Sequence, residues 1–206
     1  MNNKWNQLPT QEAIDTAVVA LQEHGFNPVV VANAEEAKAK VQELLPKNAE
    51  VMTMTSETLR TTGIEEMVNT SGDYDAIKPK LMQMDRNTQG REMQKLGAAP
   101  DIAIGSVHAV TEDGHVLIAS RTGSQLPAYT YGAGKVIWVV GTQKIVKNLE
   151  DANKRLFEYI LPLESERANK AYNMTGGSKV DKLLTYYQDE VPGRITIILV
   201  NESLGF

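Results

Sequence analysis

Apolar residues recur at helical spacing from the first turns of the chain. Ala13, Ile14, Ala17, Val18 and Leu21 form one stripe, which predicts a helix over 11–24. Thr10 can cap its free N–H groups and Gly25 can end it. The short, continuously apolar Pro28-Val29-Val30-Val31 predicts a buried strand. Asn33 and Glu36 have capping-box spacing and open a second helix that reaches Leu45 before Pro46 interrupts. Another strand is expected over 50–54, ending in the hydroxyl-rich Thr53-Met54-Thr55-Ser56. Helix follows over 57–69, with a break near Gly63, and again over 80–96, where Gly97 and Pro100 stop it. Apolar runs at 102–104, 107–110, 116–119 and 136–140 predict strands, 149–160 a helix capped by Asn148, and 195–200 a last strand.

Strands that are apolar throughout are covered on both faces, and their alternation with helices predicts an α/β fold: three layers around a mostly parallel sheet. One segment departs from that pattern. Asp113-Gly114 separates two β-like runs, and Asp-Gly suits a type I′ turn because both central residues there need positive φ. An antiparallel hairpin is therefore expected as an insertion. No repeat, low-complexity tract or long linker divides the 206 residues, so one domain is expected, with 1–48 as an N-terminal helix and strand region and the core from about 49 to 206.

Composition narrows the chemistry. A net charge of -5, with Lys and Arg interleaved among Glu and Asp, provides no basic face for nucleic acid. Cysteine is absent, which excludes thiol nucleophiles, disulfides and any cofactor held through cysteine. The N-terminal stretch lacks the apolar core of a signal peptide, and no apolar run reaches the roughly 18 residues of a membrane helix, so a cytoplasmic location is expected. His24, His108 and His115 are too scattered for a metal triad, and no metal site is expected.

Ligands of open α/β sheets bind beyond the carboxyl ends of the strands. That rule selects Thr55 and Ser56, then Gly105 and Ser106, then Gly141, Thr142, Gln143 and Lys144. Small residues, hydroxyls and free N–H groups suit an anionic or carbonyl-bearing ligand, although each stretch could equally be a strand-ending loop. Arg121, Thr122, Gly123, Ser124 and Gln125 place a cation, hydroxyls and an amide in one loop that can grip a carboxylate or phosphate, or merely turn in solvent. His108, beside Ser106, is a candidate acid–base group or a structural hydrogen-bonding residue. Glu112 is a candidate nucleophile or base, or an exposed turn carboxylate. Gly134-Lys135 is not a phosphate loop, since Val136 stands where Ser or Thr is required and Tyr129 where the first glycine is required.

Five stretches together resemble a known family. They are Gly72-Asp73-Tyr74-Asp75, Asp101-Ile102-Ala103-Ile104-Gly105, Ala109-Val110-Thr111-Glu112-Asp113-Gly114, Val139-Val140-Gly141-Thr142-Gln143-Lys144-Ile145-Val146 and Asn148-Leu149-Glu150-Asp151-Ala152. The family is the LUD domain of LutC-like, or YkgG-like, lactate-utilisation proteins, and the tail from Leu199 to Phe206 also looks family-like. The resemblance implies a fold akin to the NagB/RpiA/CoA-transferase group. It also implies a bacterial, cytosolic role in oxidising L-lactate to pyruvate beside separate iron–sulfur subunits, with a small anionic ligand; whether the chain is an oligomer stays open. Some CoA-transferase relatives use a glutamate in a Glu-x-Gly context, which Glu112-Asp113-Gly114 matches over a short span. Two other readings stay open: a stand-alone CoA- or nucleotide-using transferase or ligase-like enzyme, and a non-catalytic assembly protein.

Overall fold

The structure is a computed structural model that describes residues 3–172 and 175–206. Met1 and Asn2, part of the N-terminal stretch that lacks a signal-peptide core, lie outside the described residues. In chain order the elements are α1 (Gln11–Glu23), β1 (Asn27–Val31), α2 (Ala34–Leu44), β2 (Glu50–Thr53), α3 (Glu57–Thr61), α4 (Ile64–Thr70) and β3 (Asp75–Ala76). Then come α5 (Ile77–Gln83), α6 (Arg86–Ala98), β4 (Ile102–Gly105), β5 (Ala109–Thr111), β6 (Val116–Ser120) and β7 (Lys135–Gly141). The series closes with β8 (Ile145–Val146), α7 (Leu149–Arg155), α8 (Leu161–Tyr172), β9 (Lys182–Tyr186) and β10 (Ile195–Val200).

A six-stranded sheet in the order β1-β10-β7-β4-β2-β3 forms the centre. Each of its strand pairs is parallel. Alternation along β7 sends Val136, Trp138 and Val140 to one face and Ile137 and Val139 to the other. The first face packs on Ile14, Ala17 and Leu21 of α1 and on Val110, Val116 and Ile118. The second packs on Ala37 and Val41 of α2, Leu59 of α3, and Ile64 and Val68 of α4. Burial of both faces explains why the central strands are apolar at every position. The result is the three-layer α/β architecture, and the N-terminal region is built into it: β1 pairs with β10 over Asn27↔Thr196 to Val31↔Val200.

The hairpin exists but lies outside the central sheet. β5 and β6 pair antiparallel within a second, four-stranded sheet, β8-β5-β6-β9. One face of that sheet joins the core around Trp138, and the other receives Ala152, Leu156 and Ile160. The turn is also not type I′. Gly114 alone is left-handed, at φ 80°, and its N–H donates to the Thr111 carbonyl at 2.9 Å. The Thr111 hydroxyl accepts from the His115 N–H at 2.8 Å, so the side chain substitutes for a second left-handed residue in closing the loop. A Cβ at Gly114 would lie 2.8 Å from the Ala20 backbone, because the hairpin tip rests on the end of α1.

Helix boundaries differ from the pattern in two instructive places. The expected helix over 80–96 is two, α5 and α6, because Asp85 caps a fresh start by accepting the Asn87 N–H at 2.9 Å. The helix expected to end at Ile160 instead continues through α8. Pro162 cannot bond to the carbonyl four residues back and would collide with it. The chain meets this with a π-turn over Leu156–Ile160, in which the Leu161 N–H reaches back to the Leu156 carbonyl. The break expected near Gly63 is present, between α3 and α4.

Candidate functional site

Three parallel strands, β2, β4 and β7, deliver their carboxyl ends to one place. Thr55 and Ser56 follow β2, Ser106 follows β4, and Lys144 ends a 3-10 turn after β7. Ser56 caps α3, its hydroxyl accepting from the Leu59 N–H, which brings Thr58 of that short helix over the strand ends. Ser120 and Arg121 at the end of β6, together with Glu164 and Arg167 of α8, close the other side. Between them lies a cavity of about 590 Å³.

Lys144 forms part of the cavity floor and is only 2% exposed. Its Nζ lies 3.0 Å from Thr58 Oγ1, 3.1 Å from Ser106 Oγ and 3.2 Å from the Val107 carbonyl oxygen. No carboxylate pairs with it among the described residues. Burial, and secondarily the Arg155 guanidinium, push its pKa well below that of an ordinary lysine. Arg155 is fully buried, donates to the His108 carbonyl at 2.6 Å and leaves Nε and Nη2 without an acceptor among the described residues. Desolvation brings even that guanidinium down to about 10.

His108 shares the cavity wall. Its Nδ1 accepts the Ala119 N–H at 3.1 Å, so a neutral ring carries its proton on Nε2. Burial first, then the cations Lys144 and Arg155, lower its pKa to about 3. This histidine is therefore a neutral hydrogen-bond donor at physiological pH and not a cation. Tyr129 also faces the cavity, and its phenol is held well above the usual range by burial.

The expected residues divide into two groups. Thr55, Ser56, Ser106, His108, Arg121, Thr122, Ser124, Gln125 and Lys144 line the cavity. Gly105, Glu112, Gly123, Gly141, Thr142 and Gln143 are not among its lining residues. Gly105 makes room for protein, since a Cβ there would overlap the Tyr129 hydroxyl. Gly141 does the same for the C-terminal segment, with Glu202 O at 2.6 Å and Leu204 N at 2.8 Å from a built Cβ. Gln143 holds that segment by donating Nε2–H to the Leu204 carbonyl at 2.9 Å, and Thr142 bonds Asn201. Gly123 donates its N–H to Ser120 Oγ at 2.8 Å and shapes the loop from behind. Glu112 sits on the hairpin turn, its N–H bonded to the Val146 carbonyl.

The sequence pattern does not single out Thr58, Arg86, Tyr129, Arg167, Lys179 or Phe206, all of which reach the cavity. A signal for one part exists. Leu161, Glu164 and Ala168 recur at helical spacing and share the face that lines it, but Pro162 masks the helix. Among the described residues no group of three or more His, Asp or Glu could hold a metal ion. Nor is any helix there long and apolar enough to cross a membrane.

A parallel sheet with a polar cavity beyond its strand ends defines an α/β ligand-binding architecture. Comparisons with known proteins bear on the family and the fold. The LUD domain family model matches residues 14–200, and the chain belongs to that family. A solved structure of a DUF162 family protein from Deinococcus radiodurans is similar at a TM-score of 0.58 and 12% identity. That match covers 95% of this chain and 100% of the other, and at this identity it bears on the fold alone. None of the curated proteins matches.

Proposed function

We propose that this LUD-domain chain is a LutC-like cytosolic subunit of a bacterial system that oxidises L-lactate to pyruvate. The observation that carries the reading is the charge of the cavity. Arg86, Arg121, Arg167 and Lys179 line it against only Glu57 and Glu164, a balance that suits a small carboxylate. The neutral Nε2–H of His108 adds a donor for a hydroxyl or carbonyl oxygen. With no cysteine in the sequence, electrons leave through separate iron–sulfur subunits. Deleting the gene in its host and supplying L-lactate as sole carbon source tests the proposal. Growth on lactate should fail while growth on glucose persists. The intact gene should restore it, and an Arg121→Ala, Arg86→Ala double variant should restore it poorly. Unaltered growth of the deletion strain refutes the reading.

The size of the cavity favours a second reading. About 590 Å³ falls within the range of drug-sized ligands and exceeds what a three-carbon acid fills. A larger anion, such as a CoA thioester or a nucleotide, fits that volume. Thermal-shift measurements with CoA thioesters and ATP beside lactate and pyruvate separate the two. A ligand present at a hundred times its dissociation constant stabilises by about 2.7 kcal/mol.

A further inference from the structure

We propose that Ser106 and Lys144 form a nucleophile–base pair, with Ser106 Oγ attacking the carbonyl carbon of an ester or thioester and Lys144 accepting its proton. The inference goes beyond lactate utilisation and does not rest on it.

Hydrogen-bond accounting around the amine carries the proposal. A neutral amine has two N–H donors and one lone pair. The Val107 carbonyl, 3.2 Å away, can only accept. Thr58 Oγ1, at 3.0 Å, must accept as well, because its single proton goes to the Leu204 carbonyl at 3.2 Å. As an ammonium Lys144 donates to all three oxygens; once it gives up a proton, these two acceptors use both remaining N–H groups and the lone pair faces Ser106 Oγ at 3.1 Å. The serine proton has one other acceptor, the Val107 carbonyl at 3.5 Å, a longer contact. In that deprotonated state the hydroxyl donates to the amine, which is the arrangement a serine needs before a base can activate it.

The surroundings fit that assignment. Lys144 is enclosed while Ser106 is only partly buried and lines the cavity, so the base is sheltered and the nucleophile accessible. The ionisable groups that face the amine are Arg155 of α7 and His108, and neither carries a negative charge. Among the described residues no carboxylate pairs with the amine; its neighbours are two hydroxyls and a carbonyl. The cations that line the cavity suit substrates with an anionic portion.

The chemistry balances without a further reactant than water. Ser106 Oγ bonds to the carbonyl carbon as its proton passes to Lys144 Nζ. The bond from that carbon to the leaving oxygen or sulfur breaks, and the leaving alcohol or thiol takes the proton from Lys144. Water then attacks the acyl-serine, its proton returns by way of Lys144 to Ser106 Oγ, and a carboxylic acid departs.

The full chain incubated with phenylmethylsulfonyl fluoride, followed by peptide mass mapping, tests the pair. Ser106 should carry the sulfonyl group, and Ser106→Ala should abolish the label. With p-nitrophenyl acetate, Lys144→Met should slow acylation by about 10²–10⁴-fold, the range of general-base catalysis. The pH profile of the unaltered chain decides the matter even if that variant does not fold. Its acylation rate should rise with pH and level off well below the ordinary lysine pKa, and Arg155→Met should move the plateau to higher pH by removing a cation from beside the amine. Absence of label on Ser106, a label indifferent to Ser106→Ala, or a rate rising unbroken through the lysine range overturns the proposal. Growth on lactate is a separate readout, so either reading can fail alone.

Discussion

Acidification should expose the cost of burying His108. In the native protein its pKa lies at about 3 because burial and the neighbouring Lys144 and Arg155 cations disfavour the imidazolium. In the unfolded chain it returns to about 6.5. Above 6.5 both states are neutral and the residue contributes no pH dependence. As pH falls through 6.5 the unfolded chain takes up a proton that the native state refuses, and stability is lost until pH reaches about 3, where the loss saturates. A tenfold difference in proton affinity between the two states is worth about 1.4 kcal/mol, so the saturated loss is on the order of 5 kcal/mol, and at pH 4.5 it is roughly 3 kcal/mol. Carboxylates titrate in the same window, so the measurement must be a difference. His108→Asn keeps an acceptor for the Ala119 N–H and removes the titration. Urea unfolding of both proteins at pH 7.5, 6 and 4.5 should show the variant losing less stability on acidification. Parallel losses would refute the reasoning, because they would mean His108 can hold its proton in place.

Other perturbations probe the supports of the cavity. Gly141→Ala puts a methyl group within 2.6 Å of the Glu202 carbonyl oxygen and 2.8 Å of the Leu204 N. The C-terminal segment must shift, at about 1–3 kcal/mol, and calorimetry should record a Tm lowered by roughly 2–10 °C. Asp189→Asn breaks a well-buried pair in which Arg194 Nη2 lies 2.6 Å from Asp189 Oδ2 while also donating to the Tyr129 carbonyl at 2.9 Å. Leaving that guanidinium unmatched should cost about 3–5 kcal/mol in urea unfolding at neutral pH. A loss under about 1 kcal/mol would show that water reaches Arg194.

Much of the architecture is legible in residue order. Thr10, Asn33 and Asn148 cap the helices that their positions announce, since capping depends on neighbours a few positions away. The central strands are legible because covering both faces demands apolar residues throughout. Even the cavity's location follows from the strand ends, and Ser106, His108 and Lys144 reach it. What stays hidden depends on partners remote in sequence. β9 carries half-exposed edge residues and exists by pairing with β6, over Val116↔Tyr186 to Ser120↔Lys182, so its own periodicity announces little. Whether a strand-end glycine faces a ligand or a neighbour is decided by what the fold brings against it: Tyr129 fills the space at Gly105, and the C-terminal segment fills it at Gly141. Lys144 shows the division most clearly. Sequence alone places a lysine at the end of a parallel strand, but its charge state depends on being enclosed by Thr58, Ser106, Val107 and Arg155. Desolvation and long-range charge belong to the packed molecule, and no local pattern encodes them.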